Sequence, residues 1–170
     1  MIELEKTYLI KFLPPNLSAC QHKEVIDIYI PKSAAHPKTR IRKNGDKFEM
    51  TKKEPINESD ASQQEEQTII LTEEEFLSLQ KIEGKRVSKI RYDYPYNSRI
   101  VEVAIFQEGL NGLVLADVEF DNTEEMQNFT MPEFCLADVT QEDFVAGGLL
   151  CGKTYAEIEP QLDKYNYKKL

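Results

Sequence analysis

The sequence predicts an α+β protein whose framework is an eight-stranded antiparallel β-barrel, a tunnel with helices packed outside. Three observations predict it. Eight segments have the alternation or the β-branched composition of strands. Most connections between them are short enough for hairpins, which favours antiparallel pairing. Within the strands, charged residues recur two positions apart, so one face of each strand is charged. Eight such strands can close around an interior that holds a ligand.

The composition is that of a globular protein. The chain has 170 residues, 41% of them hydrophobic and 30% charged, so we expect a single domain over residues 1–170. A net charge of −9 disfavours nucleic acid as a partner. No apolar run approaches the roughly 18 residues of a membrane span, and the charged N-terminus does not resemble a signal peptide. We therefore expect a cytoplasmic protein without a membrane partner. The oligomeric state stays open, with a homodimer as one option.

The first half of the chain is dominated by strand patterns. Asn44-Gly45-Asp46 is a strong hairpin signal between two of them, and the polar stretch 54–63 predicts a loop. Thr72 with Glu75 three positions later is a capping box, which predicts a helix to about Lys81. The five predicted strands cover residues 2–12, 25–30, 38–43, 47–53 and 64–71.

The second half continues the barrel and adds helices. Asn122, Thr140 and Thr154 are predicted to begin three short helices. The three remaining strands are predicted at residues 86–94, 99–107 and 112–120.

The charged pairs on the strands carry the functional information. An ordinary half-buried strand would turn them to water. Both signs occur on strand after strand, however, which favours a charged barrel interior. Arg and Lys there would bind phosphate oxygens, and carboxylates facing them would hold Mg²⁺ or Mn²⁺, so the pattern predicts a metal–polyphosphate site. The pairs are Glu3 and Glu5, Arg40 and Arg42, Thr51 and Lys53, Glu65 and Gln67, Lys89 and Arg91, and Asp117 and Glu119.

Seven short motifs occur in the order of a known superfamily. Residues 2–9 resemble an ExExK opening, and residues 25–30 resemble an IxQxYL strand. The other five are residues 39–42 (RIR), 50–53 (LTxK), 89–92 (KxRY), 114–120 (LxxxEVEF) and 138–140 (EVT). Together they resemble the CYTH, or triphosphate tunnel metalloenzyme, superfamily. The resemblance implies an eight-stranded tunnel that binds triphosphate with a divalent metal.

The resemblance also implies roles for the matching residues. The implied metal ligands for Mg²⁺ or Mn²⁺ are Glu3, Glu5, Glu65, Asp117 and Glu119. The implied substrate-binding residues are Arg40, Arg42, Lys53, Lys89 and Arg91. Glu5, Arg42, Lys53 and Lys89 are the implied catalytic residues.

Several positions depart from the superfamily pattern, among them Gln63 and Gln67 in the fifth strand, and three of them bear on activity. Thr7 stands at the lysine of ExExK, and Ala104 stands where members carry an inward acid. Val145 lies in a helix where members often carry a lysine. Because each departure removes charge from the site, activity is in question.

The resemblance implies metal-dependent hydrolysis of a linear triphosphate. Inorganic tripolyphosphate ranks first because an organic moiety would need a pocket at the tunnel mouth, the chain has no Trp, and the sequence does not place its eight Tyr and eight Phe residues there. Alternatives are a catalytically weak or inactive binder of polyphosphate or nucleotide, and a relative of thiamine triphosphatases or of class IV adenylate cyclases. A structural domain whose charged pairs face solvent is the remaining alternative.

Overall fold

The computed structural model describes residues 2–57 and 59–170, in which nine antiparallel strands form one sheet that closes on itself. The order is β5-β4-β3-β2-β6-β7-β8-β1-β9, and β5 also pairs with β1. The predicted eight-stranded barrel is therefore confirmed, with β9 as an extra strand. The strands are β1 (Ile2–Ile10), β2 (His22–Ile30), β3 (Thr39–Asn44), β4 (Lys47–Asn57), β5 (Asp60–Leu71), β6 (Lys85–Tyr96), β7 (Arg99–Phe106), β8 (Val114–Phe120) and β9 (Cys135–Asp138).

Strand β1 closes the barrel. Its first residues pair with β5, its middle pairs with β8, and its last residues pair with β9. Since side chains alternate along a strand, this register turns Glu3, Glu5 and Thr7 to one face, the interior. The sequence did not predict β9 because four residues are too few for an alternation to be recognised.

Four short helices accompany the barrel in the described residues: α1 (Glu73–Leu79), α2 (Thr123–Asn128), α3 (Gly147–Leu150) and α4 (Tyr155–Leu162). The capping box of α1 is confirmed, since the backbone N–H of Glu75 donates to the Thr72 hydroxyl and the Thr72 N–H donates to the Glu75 carboxylate. None of these helices is long and apolar enough to cross a membrane.

Two predictions about the elements were wrong. The polar stretch 54–63 is not a loop, because β4 continues to Asn57 and β5 already begins at Asp60. The two strands pair with each other almost to the hairpin tip, and their side chains are mostly polar because they reach solvent. Thr140 does not begin an α-helix. Its hydroxyl accepts a 3.1 Å hydrogen bond from the Thr7 N–H, which ties this segment to β1 as a turn.

Two apolar clusters hold the fold together. One covers the outer faces of β1, β7 and β8, and α2 packs on it through the buried Met126. The other forms an apolar floor at one end of the barrel interior, where α3 and α4 pack against it. The cavity above that floor is therefore lined by the polar halves of the inner faces. The floor includes Leu9, Val87, Phe106 and Leu115 from the strands, and Leu150 and Ile158 from the helices.

Candidate functional site

The barrel interior contains a cavity of about 990 Å³ to which all eight barrel strands contribute side chains. Among the described residues, twelve carboxylates and six Lys or Arg side chains border it, a surplus of six negative charges. Except on β5, the charged pairs thus face the interior, as the sequence predicted, and the alternative in which they all face bulk solvent does not hold. All ten residues predicted for the site border the cavity: Glu3, Glu5, Arg40, Arg42, Lys53, Glu65, Lys89, Arg91, Asp117 and Glu119.

Charges of opposite sign are concentrated on different parts of the barrel wall, which meet where Arg91 Nη1 on β6 lies 2.8 Å from Glu102 Oε2 on the neighbouring strand β7. The acid wall belongs to the adjacent strands β1, β7 and β8. The cation wall belongs to β3 and β6, which flank β2. A ligand in the cavity would therefore meet oxygen donors on one side and cations on the other. The acid wall consists of Glu3, Glu5, Glu102, Asp117 and Glu119, and the cation wall of Arg40, Arg42, Lys89 and Arg91.

Burial and the repulsion between neighbouring carboxylates destabilise the ionised side chains of the acid wall. Burial raises the pKa of Glu5 to about 7 despite the opposing charge of Lys53, and the surrounding carboxylates add to the rise. Burial also raises the pKa of Glu119, with Glu3 as the next cause. A cation placed between these carboxylates would relieve the repulsion.

Lys53 supplies one such cation from the structure itself. Its ammonium reaches from β4 to the Glu3 carboxylate and lies 3.2 Å from Glu66 Oε2 and 4.0 Å from Glu5 Oε2. Burial disfavours the charged ammonium, but Glu5 and Glu3 outweigh it and raise the pKa of Lys53. Lys53 is therefore a fixed counter-ion of the acid wall.

The assignment of Glu65 to the inner face was wrong by one residue. Lys53 on β4 pairs directly with Glu66, and Glu65 pairs with Glu54 on the other face. The side chain of Glu65 is exposed at the edge of the cavity, whereas Glu66 contacts Lys53. The phase was misjudged because this stretch of β5 is polar on both faces, so its alternation carries no information.

The cation wall contains a residue that the sequence did not single out. Asp27 on β2 pairs with Arg42 on β3, and its carboxylate accepts hydrogen bonds of 2.6 Å from Nε and 2.8 Å from Nη2. Burial would raise the pKa of Asp27, but Arg42 holds it far below its usual range. The one available sequence signal was that Asp27 replaces the glutamine of the IxQxYL motif.

Other donors of the cation wall lack partners. The Nε atoms of Arg40 and Arg91 are buried, and neither donates a hydrogen bond to any described residue. Nη1 of Arg91 does have a partner, since it lies 2.8 Å from Glu102 Oε2. Lys89 is half-buried and makes no ion pair within 4 Å among the described residues, and desolvation lowers its pKa. Unsatisfied donors of this kind are costly unless a ligand or water satisfies them.

The acid wall fits a divalent cation by donor type but does not form a complete ligand set. Carboxylate oxygens are the donors that Mg²⁺ and Mn²⁺ prefer. In the described part of the chain, however, no three His, Cys, Asp or Glu side chains lie close enough to hold a metal ion. Glu3, Glu5 and Glu119, three of the metal ligands that the resemblance implies, therefore do not form a ready ligand set by themselves, and Lys53 contacts two of them. Mg²⁺ usually needs only one or two carboxylates when phosphates complete its shell, so the donors suit a cation held jointly with a ligand.

The three departures all lie at the cavity or on the inner faces. Thr7 and Val145 border the cavity. Ala104 is fully buried and pairs directly with Arg91 across β6 and β7, so it shares the inner face. The charges missing from the sequence are thus missing from the site.

Comparisons with known proteins identify the class of fold. No family model and no curated protein matches the chain. Solved structures do match, at identities below 25%, and they show that the chain shares their fold. The inorganic triphosphatase NE1496 is similar with a TM-score of 0.64 and 22% identity over 89% of this chain and 95% of that one. The PH1012 protein from Pyrococcus horikoshii OT3 is similar with a TM-score of 0.51 and 19% identity over 74% of this chain and 83% of that one.

Proposed function

We propose that this protein binds a linear triphosphate in the barrel cavity and hydrolyses it with the help of Mg²⁺ or Mn²⁺. The observation that carries the proposal is that the buried Nε atoms of Arg40 and Arg91 have no hydrogen-bond partner among the described residues, although Nη1 of Arg91 lies 2.8 Å from Glu102 Oε2. Lys89, on the same wall, makes no ion pair within 4 Å among those residues. Phosphate oxygens are strong acceptors and would complete these hydrogen bonds. A small polyanion is therefore the partner that this wall suits.

The acid wall explains why a metal belongs to the proposal. The cavity border carries twelve carboxylates against six cations in the described residues, so a free polyanion would be repelled. Glu5 and Glu119, whose pKa values are raised, are the carboxylates that would gain most from a divalent cation. When bound, the cation would neutralise phosphate charge and help to orient the attacking water.

The hydrolysis would follow the usual course of phosphoryl transfer. Water attacks the terminal phosphorus, the bond to the bridging oxygen breaks, and pyrophosphate leaves as orthophosphate forms. Arg40, Lys89 and Arg91 would stabilise the charge on the phosphoryl oxygens, which is where most of the catalysis lies. The water proton would pass to a carboxylate of the acid wall that the metal leaves free.

Inorganic tripolyphosphate is the substrate we propose. The named fold neighbour is an inorganic triphosphatase, which supports this choice over a thiamine or adenine triphosphate. The runner-up is a binder with weak or no turnover. It is favoured by Thr7, Ala104 and Val145, each of which replaces a charged side chain of the superfamily pattern.

Phosphate release tests the proposal. Tripolyphosphate, ATP and thiamine triphosphate would be compared with Mg²⁺, with Mn²⁺ and with EDTA. We expect release from tripolyphosphate that EDTA abolishes and that Lys89→Met lowers by at least about 100-fold, since misplaced charge costs phosphoryl transfer that much. Lys52→Met is the matched control, because Lys52 is exposed and does not border the cavity. Binding without release would favour the runner-up, and neither binding nor release would contradict both.

A further inference from the structure

The two arginines of β3 are held by different partners. Arg42 gives its Nε–H and one Nη2–H to both oxygens of Asp27, at 2.6 and 2.8 Å. Arg40 instead donates from Nη1 to the neutral hydroxyl of Tyr29, at 3.2 Å. In both cases the partner lies directly opposite on β2. One arginine is thus neutralised and the other is not.

The surroundings strengthen the contrast. Asp27 and Arg42 are buried, with 3% and 9% of their surface exposed, so water screens their attraction little. Arg40 approaches Asp27 only distantly, with its Nε 3.9 Å from Oδ1 and without a hydrogen bond. The bidentate Asp27–Arg42 pair keeps its geometry. The guanidinium of Arg40, whose Nε has no hydrogen-bond partner in the described structure, is available to a ligand.

We propose that Asp27 is a positioning residue that sets the anion affinity of the site: it holds Arg42 as a neutral pair and leaves Arg40 and Lys89 to attract the polyanion. The proposal rests on the proposed triphosphate binding. It assigns Arg42, which the sequence placed among the main phosphate contacts, a lesser part in affinity. Because Asp27 neutralises Arg42, the affinity of the site for its anion is lower than the number of Lys and Arg side chains in the cavity would suggest.

Two substitutions separate this role from a structural one. Asp27→Asn removes the charge and keeps the shape, so Arg42 loses its hydrogen-bonded carboxylate and keeps only Glu49, whose Oε1 lies 4.0 Å from Nη1. More of its positive charge is then available to attract the anion. Asp27→Asn combined with Arg42→Gln removes a neutral pair and leaves the net charge of the cavity unchanged. Tyr29→Phe is the matched control, because it removes the partner of the neighbouring arginine without removing a charge.

The test is calorimetric titration of the full chain with inorganic tripolyphosphate and Mg²⁺ at two salt concentrations. We expect Asp27→Asn to bind about 10-fold more tightly with a steeper loss of affinity as salt rises, since one fixed negative charge is gone. The double variant should bind within about threefold of wild type, and Tyr29→Phe should not bind more tightly. Thermal unfolding of each variant confirms that it is folded.

The affinities of the variants distinguish the proposed role of Asp27 from a purely structural one. A structural role alone would weaken binding in Asp27→Asn, so weaker binding by a folded variant overturns the proposal. If Asp27→Asn does not fold, the double variant still decides, because a loss of about 10-fold or more there would make Arg42 a main contact. If wild type binds no tripolyphosphate at all, the proposed function fails, and this inference fails with it.

Discussion

The hydroxyl of Thr7 donates a 2.8 Å hydrogen bond to Oδ1 of Asp117, the residue directly opposite it on β8. The ExExK motif has a lysine where this chain has Thr7. The acid wall therefore has a neutral donor in place of a cation. Ala104 removes an acid from the adjacent strand β7, so the two departures offset each other in charge. Binding should survive this exchange better than catalysis, because phosphoryl transfer depends on the placement of individual charges.

We predict that triphosphate binding is retained while turnover is slow. Restoring both groups with Thr7→Lys and Ala104→Asp should raise kcat by about 10- to 100-fold and change the dissociation constant of tripolyphosphate by less than about fivefold. The new carboxylate would lie opposite Arg91, whose Nε lacks a hydrogen-bond partner in the described structure.

Each single substitution serves as a control for the pair. Thr7→Lys alone adds a positive charge beside Asp117, and Ala104→Asp alone adds a buried negative charge. Each single variant therefore changes the net charge of the acid wall, whereas the double variant does not. Fast turnover by the unmodified protein would show that Thr7 and Ala104 do not limit it, and this prediction would then be wrong.

Lys53 should compete with metal. Its ammonium contacts Glu3, Glu66 and Glu5, so a divalent cation that uses Glu3 or Glu5 must displace it or share them. We expect Lys53→Met to bind Mn²⁺ about 10-fold more tightly in the absence of substrate, because it frees carboxylates that repel one another.

Paramagnetic resonance of free Mn²⁺ measures the affinity directly. The exposed Lys52, which pairs with Glu54, provides the control Lys52→Met. Unchanged or weaker Mn²⁺ binding by Lys53→Met would place the metal away from these carboxylates.

Most of the barrel and most of the site could be predicted because charge and apolar residues alternate on the strands. The alternation failed on β5, where both faces are polar and Glu65 was taken for its neighbour Glu66. Asp27 was missed for a different reason. Its importance comes from the residue opposite it on another strand, and a single sequence does not reveal that register. The sequence likewise did not reveal that the carboxylates of the acid wall form no ready metal-ligand set, because that depends on how far the side chain of Lys53 reaches.

Glu66, and not Glu65, lies on the inner face of β5 beside Lys53, so the same substitution at these two adjacent residues can be compared. Glu66→Gln removes a carboxylate 3.2 Å from the Lys53 ammonium and should lower the free energy of unfolding by about 1 kcal/mol. Glu65→Gln alters an exposed side chain and should change it by less than about 0.5 kcal/mol. Urea denaturation measures both, and the reverse ranking would return Glu65 to the inner face.

The raised pKa of Glu5 gives the metal-free protein a distinct pH dependence. The pKa is about 7 in the fold against an ordinary value of 4.5. Between these two values the unfolded chain has lost the proton while the folded chain keeps it, so the unfolded state binds fewer protons. The contribution of Glu5 to stability therefore falls as pH rises from about 4.5 to 7 and stays lost above that.

Glu5→Gln should remove this loss. In EDTA we expect the variant to match wild type near pH 5 and to be more stable by about 1–3 kcal/mol near pH 8, since one pKa unit corresponds to about 1.4 kcal/mol. Glu119 and Glu102 also have raised pKa values, but they remain in both proteins and largely cancel in the difference. The measurement is urea denaturation across this pH range. A variant no more stable than wild type at pH 8 would mean that the ionised Glu5 is already compensated, in which case the acid wall would not need a metal to relieve repulsion at this residue.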